Sequence, residues 1–482
     1  MALHYSPELC QELATAHLVA NQRAALWMGM GLGKTAATLS AYLELRNAGK
    51  VRGMLVVAPL RVCVLTWPNE IRKWLEFNQL QVSHVMTESG WRAMEAGASD
   101  IYIINWENLV FLSTYFLHGK RAHQLPFDLV VFDELTKAKN PDSIRVNQFR
   151  AYVNKFPWRW GLTGTPAPNS LLDVYAQIRL LDDGASLGKS YAAFRDAHFQ
   201  SVDRYNYTWI PRANGPDRIY RRLADIALVL RSSDYLDIPN TIVEDVEVEL
   251  PKRCEQIYEE LSDELLAVTD SGEAVTAVNA GVLVGKLLQV TGGAVYKEQR
   301  YSDDGRELPL EVLLLHSEKI KVLLSLLKRL NEPVIVVCQY RHEQDRVAQA
   351  VPAATRLDSA RTETAIQQLE QRWNAKQIPC LIVHPQSVGH GLNFQAGGRI
   401  VVWYSMTYSR ELYDQTNARV ARSGQTSVTL VYRLLCKGSI DEAVVSVLSD
   451  REKSQSALLQ AVEYYRKIKA LLKHQIQLSP QV

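Results

Sequence analysis

Two α/β units in tandem, each a parallel sheet flanked by helices, are expected from three features of this 482-residue chain. Its length exceeds what one core accommodates, because single hydrophobic cores stop growing near about 250 to 300 residues. Short apolar runs alternate with helix-like stretches in one series before residue 182 and in a second after residue 330. A glycine-rich turn lies between the first such run and a strong helix-forming segment, the layout that aims backbone amides and a helix N-terminus at an anion.

The first series comprises "RAALWM", "GMLVVAP" (53–59), "DIYIIN" (100–105), "DLVVFDE" (128–134) and "RWGLTGTP" (159–166). Continuous apolar runs of this length, rich in β-branched residues and bounded by turn residues, suit strands buried on both faces of a parallel sheet. The second series is "PVIVVCQY" (333–340), "PCLIVHP" (379–385), "RIVVWYS" (399–405) and "SVTLVYRLL" (427–435). We therefore expect a first unit over 1–240 with an insertion at 182–240, a connector at 241–315 and a second unit at 316–450. Helices are expected at "EQIYEELSDELLAVT" and "HSEKIKVLLSLLKRL", and the acid-alternating "TIVEDVEVELP" reads as extended linker. Apolar residues at helical spacing predict a terminal helix over 451–482.

Composition narrows the classes. The apolar (47%) and charged (22%) fractions are those of a globular protein, and no apolar run reaches the roughly 18 residues of a membrane span. The opening "MALHYSPELC" lacks the layout of an export signal, and six scattered cysteines without CxxC spacing point to a reducing cytoplasm and away from zinc. A formal charge of +2 means that a nucleic-acid partner would have to be held by locally gathered basic groups.

"LWMGMGLGKTAAT" (26–38) is the chemically richest turn. Gly29, Met30, Gly31, Leu32 and Gly33 would let the main chain curl around a phosphate. Lys34 would reach the β and γ phosphates, and Thr35 would ligate magnesium. The general pattern wants a fourth glycine five places before Gly33, where this chain has Met28. A nucleoside triphosphatase also needs carboxylates at a neighbouring strand end, one for the metal and one for the attacking water. Asp133 and Glu134 in "DLVVFDELTKAKN" supply that pair, with Asp133 the second magnesium ligand. In "GLTGTPAPN" (161–169), Thr163 and Thr165 could couple hydroxyls to the pair while Gly164 and Pro166 fix a turn.

Taken together, "GMGLGKT", "APLRVCVLTWPNEIRKW", "DELTKAKN" and "LTGTPAPN" resemble motifs I, Ia, II and III of the Swi/Snf-type ATPases of helicase superfamily two. "VGHGLNFQ" resembles motif V, "YSRELYDQTNARVARSGQ" motif VI, and "KGSIDEAV" the short helix beyond it. The resemblance runs along nearly the whole chain and is nearest to compact phage or bacterial members. It implies two RecA-like lobes with ATP and Mg2+ in the cleft between them, and Gln415, Arg419 and Arg422 brought across to the nucleotide, Arg422 as the finger on the transferring phosphoryl group. It further implies a DNA track along Arg61, Asn105, Trp106, Gln339, Tyr340, Arg341, His390 and Asn393. Motif II departs from the family by carrying Thr136 where relatives have histidine, and Gln11 is the nearest candidate for reading adenine. The insertion interleaves arginines with Tyr205, Tyr207 and Trp209, a texture suited to phosphate contacts and stacking, or equally to a plain surface subdomain. The implied activity is ATP-driven translocation on double-stranded DNA by a cytoplasmic, nucleoid-associated monomer; a strand-separating helicase and a nucleotide-responsive clamp are the alternatives.

Overall fold

The computed structural model describes residues 3–118, 125–168, 170–202, 209–236, 239–270, 277–297, 310–360, 362–388, 392–422 and 424–449. The expected terminal helix over 451–482 lies outside the described residues, as do His390, Tyr205 and Tyr207. Two compact units form, Met1–Asp237 and Ile238–Val482.

The first unit is built on strands β1 (Arg23–Met28), β2 (Met54–Ala58), β3 (Val82–His84), β4 (Ile101–Asn105), β5 (Leu129–Asp133) and β6 (Trp158–Thr163), with a small antiparallel pair, β7 (Phe199–Ser201) and β8 (Trp209–Pro211), and then β9 (Ala227–Leu230). Among the described residues the main sheet has seven strands in the order β3-β4-β2-β5-β6-β1-β9, all parallel. Because side chains alternate across a strand, Ala25 and Trp27 enter one apolar layer while Ala24, Leu26 and Met28 enter the other. β5 divides likewise, with Val130 and Phe132 on one side and Leu129 and Val131 on the other. Burial on both faces is why these strands read as unbroken apolar runs. Parallel register brings the strand ends together: Met28 pairs with Leu230, Trp27 with Thr163, and Asp133 with Leu162. The turns that follow β1, β5, β6 and β9 therefore share the carboxyl edge, where ligands bind in open α/β sheets.

The second unit has strands β10 (Thr241–Val248), β11 (Ala294–Tyr296), β12 (Val312–Leu314), β13 (Val334–Val337), β14 (Ala354–Arg356), β15 (Cys380–Val383), β16 (Ile400–Trp403) and β17 (Thr429–Cys436). Its main sheet runs β10-β17-β16-β13-β15-β14 and is parallel throughout. Its core holds a buried ion pair, Lys319 Nζ to Asp441 Oδ2 at 2.7 Å, with both side chains fully enclosed. Thr291 Oγ1 and the Cys436 amide donate to the same carboxylate at 3.0 Å each. The pair thereby ties together the helices Ala277–Gly292, Glu318–Leu330 and Ile440–Ser449.

Two stretches differ from the sequence reading. "TIVEDVEV", read as linker, is the edge strand β10, paired over eight residues with β17. Its acids are those of a solvent-facing edge: Asp245 Oδ2 meets Arg433 Nη2 at 2.8 Å and Glu247 meets Lys437 Nζ at 2.9 Å. The end of the expected insertion, "ALVL", is β9 and extends the first sheet beside β1.

Candidate active site

The loop after β1 runs into the helix Lys34–Asn47. Gly31 and Gly33 have φ of 85° and 81°, the left-handed region in which a side chain is strained. Gly29 is constrained by space instead, since a Cβ there would lie 2.2 Å from Ser232 Oγ. Ser232, just beyond β9, donates to Met30 O at 2.9 Å, and the Gly29 amide donates to Leu230 O at 2.8 Å. Lys34 Nζ donates to Met28 O at 2.7 Å and Gly29 O at 3.2 Å, folding back over its own loop. Met28 is the last residue of β1 and is fully buried. At that position the chain is strand, with no left-handed turn for a glycine to serve. Thr35 lies half-buried in the first turn of the helix. Gln11 packs on Gly33: its Nε2 donates to Leu32 O at 3.3 Å, while its Oε1 accepts from the Glu8 amide at 3.2 Å and Tyr5 Oη at 3.1 Å.

Asp133 closes β5. Desolvation pushes its carboxyl up to about 6, opposed by a hydrogen bond from Trp67, reinforced by the adjacent Glu134 charge and opposed again by Lys34. The side chain of Trp67 is fully buried, and its Nε1 donates to Asp133 Oδ2 at 2.9 Å. From the other side Trp106 Nε1 donates to Asp133 O at 2.9 Å, its ring stacked on Phe132 at 5.8 Å between centroids. Trp106 was expected on the DNA track; fully buried behind Asp133, it has no surface to offer nucleic acid, and its role is that of a strut. Asn105 is also enclosed, with Nδ2 donating to Glu107 Oε2 at 2.7 Å. Arg61 is half-buried, and that burial lowers its affinity for its proton.

Glu134 is left-handed at φ 55°, unusual for a residue with a side chain. Its Oε1 accepts from Thr136 Oγ1 at 2.6 Å and from Thr163 Oγ1 at 3.4 Å. The Thr165 amide in turn donates to Thr163 Oγ1 at 3.1 Å, and Gln177 Nε2 fixes the Pro166 carbonyl at 2.7 Å. A Cβ on Gly164 would stand 3.8 Å from Lys34 Nζ, so this turn abuts the glycine loop. Lys34, Asp133, Glu134, Thr163 and Thr165 thus gather at one sheet edge. Ser232, Trp67 and Gln177 hold that arrangement and were not singled out from the sequence.

In the second unit Gln415 is buried on the helix Arg410–Asn417, with Nε2 donating to Glu411 Oε1 at 3.2 Å. Arg419 Nη1 donates to Leu392 O at 3.4 Å, and its own carbonyl accepts from the Phe394 amide at 3.0 Å. Arg422 Nη1 donates to Asn393 Oδ1. The Asn393 amide donates to Glu370 Oε1 at 2.8 Å and its carbonyl accepts from Asn374 Nδ2 at 2.9 Å. Burial raises the Glu370 carboxyl and the Arg422 and Arg419 charges oppose the rise. Both arginines therefore meet the segment 392–394. Tyr340 is anchored in the fold by its hydroxyl on Gly285 O at 3.0 Å; the Gln339 and Tyr340 amides both donate to Glu343 Oε2 at 3.1 Å, and Arg341 is exposed.

A glycine loop at a helix N-terminus, with a strand-end Asp-Glu pair two strands away in the sheet, defines a phosphate-loop nucleoside triphosphatase of RecA-like build. More particularly, the SNF2-related domain model matches residues 17–290 and the helicase conserved C-terminal domain matches 318–424, so the chain belongs to the SNF2 family of helicase superfamily two ATPases. A protein called p41 from Acyrthosiphon pisum secondary endosymbiont phage 1 is 32% identical, over 95% of this chain and 99% of its own. The human DNA repair and recombination protein RAD54-like is 24% identical over 89% of this chain, and an uncharacterized ATP-dependent helicase of Mycoplasma genitalium is 21% identical over 91%. The chain spans 62% and 40% of those two relatives. A Sulfolobus solfataricus SWI2/SNF2 ATPase core in complex with dsDNA aligns over 97% of both chains at 17% identity, with a TM-score of 0.43.

Proposed function

We propose that the chain hydrolyses ATP with Mg2+ and uses the cycle to move along double-stranded DNA. The observation that carries this reading is the single sheet edge on which Lys34, the Asp133–Glu134 pair and the Thr163–Thr165 turn meet. A divalent cation suits the donor set: the Asp133 carboxyl, raised by desolvation and by Glu134, is relieved by a positive charge, and Thr35 offers a hydroxyl in the first helical turn. When bound, Mg2+ would neutralise charge on the β and γ phosphates. Lys34 would trade its contacts with the Met28 and Gly29 carbonyls for phosphate oxygens. Glu134, oriented by two threonine hydroxyls, would position and deprotonate the attacking water. Arg419 and Arg422 would reach the nucleotide from the second lobe, and Arg61, Arg341 and Asn393 would meet the DNA backbone. Thr136 in place of histidine supports retained hydrolysis, because its hydroxyl holds Glu134 directly. The buried free cysteines suit a reducing cytoplasm.

Steady-state ATPase with and without duplex DNA tests the reading, with stimulation by duplex and its loss in Lys34→Ala as the expected result. A rate indifferent to DNA would sink the motor. Trp67→Phe keeps a buried ring and removes the N–H donor to Asp133. It is expected to weaken Mg2+-dependent binding of a fluorescent ATP analogue by roughly tenfold, the scale of one hydrogen bond to a charged group. Wild-type metal dependence in that variant would remove Trp67 from the site.

A further inference from the structure

The helix Gly215–Leu223 buries Gly215, Ile219 and Leu223, one stripe at four-residue spacing, and turns Arg218, Arg221 and Arg222 outward with Tyr220. It packs so closely that a Cβ on Gly215 would lie 2.3 Å from His198 O. Among the described residues the three guanidinium groups donate to backbone oxygens: Ala197 O at 3.5 Å, Asp217 O at 3.3 Å and Ser186 O at 3.5 Å. Among the described residues none of the three has a carboxylate partner. Arg212, exposed just ahead of the helix, likewise donates to a backbone oxygen, Asp196 O at 3.2 Å.

Nearby acids do not cancel this field. Asp196 is engaged by Arg195 at 3.0 Å, which leaves Asp217 and Asp225 at the helix. The cation of Arg195 also stands 4.0 Å over the Trp209 ring. Burial first, and the charges of Arg218 and Arg222 second, lower the affinity of His198 for its proton, so the charge on these arginines is felt inside the subdomain. Residues 189–231 carry eight Lys and Arg against four Asp and Glu, a local excess above the +2 of the whole chain. Solvent-facing arginines without acidic partners are matched to phosphate oxygens, which their planar donor forks bind two at a time.

We propose that the arginine face of the helix Gly215–Leu223, continued by Arg212, binds the phosphate backbone of DNA as a contact separate from the motif residues. This rests on the DNA-driven reading above and adds a second, sequence-blind grip within the first unit. Each phosphate neutralised on a duplex contributes about 0.9 to the slope of log affinity against log salt. The test compares wild type with the triple variant Arg218→Gln, Arg221→Gln, Arg222→Gln and the matching triple lysine variant. A fluorescein-labelled duplex is titrated at several salt concentrations, with melting temperature and DNA-free ATPase checking the fold. The glutamine variant is expected to bind about tenfold more weakly at low salt, with a slope shallower by about two. The lysine variant is expected to recover most of both. Wild-type affinity and slope in the glutamine variant would overturn the proposal, and so would a lysine variant as weak as the glutamine one. If wild type binds duplex but its ATPase ignores it, the motor reading fails while the slopes still decide this proposal; if wild type does not bind duplex, both fall.

Discussion

Arg422→Ala is expected to lower ATP turnover by about 10³- to 10⁵-fold while ATP affinity stays within a few-fold of wild type. The reason is that a finger acts on charge that develops only as the phosphoryl group transfers, so its loss is felt in the transition state and hardly in binding. The two candidate arginines are placed differently. Arg419 is bound to the chain at both ends, with its guanidinium on Leu392 O and its carbonyl on the Phe394 amide. Truncating it would loosen the segment 392–394 as well as remove a charge. Arg422 bonds to the side chain of the exposed Asn393, so truncating it leaves the backbone contacts of that segment in place. Single-turnover hydrolysis beside equilibrium binding of an ATP analogue separates the two effects. Near-normal turnover in Arg422→Ala would move the finger to Arg419.

The sheets and the chemistry of the motifs were legible because both leave local marks. Strands buried on two faces must be apolar throughout, as β2 and β13 are, and a phosphate loop must contain glycines at its left-handed positions. What escaped reading depends on contacts distant in sequence. Ser232 sits against Gly29 across 202 residues counted from its bond to Met30, and nothing in "LRSSDY" announces it. β3 and β14 are only three residues long, and β9, at the sheet edge, is not buried on both faces as β13 is. β10 alternates acids because it is an edge, and the same alternation is compatible with a linker. Trp67 and Trp106 show the limit for single residues. An indole beside a strand end can stack on a base or serve a carboxylate from behind, and only burial separates these roles. Gln11, the nearest candidate for reading adenine, packs on Gly33, a neighbour that helical spacing alone does not specify.

Glu134→Gln is expected to slow hydrolysis by about 10²- to 10⁴-fold, the range contributed by a positioned general base, and to leave ATP-bound protein lodged on DNA. The substitution is informative because the site should keep its shape. Glutamine is isosteric, and its amide oxygen can still accept from Thr136 Oγ1, now 2.6 Å from Glu134 Oε1. What it removes is a negative charge beside Asp133. That charge is one of the influences raising the Asp133 carboxyl, so removing it shifts Asp133 toward its ionised form and favours the metal. Nucleotide and Mg2+ affinity should therefore hold or improve while the chemical step fails, a split that a merely disrupted site could not produce. Equilibrium binding of a fluorescent ATP analogue, single-turnover hydrolysis and the lifetime of the duplex complex are the three measurements. If Glu134→Gln hydrolysed ATP within a few-fold of wild type, the water would have to be activated elsewhere. Thr165 is then the neighbour to test, since its hydroxyl is buried at the same edge without a partner among the described residues.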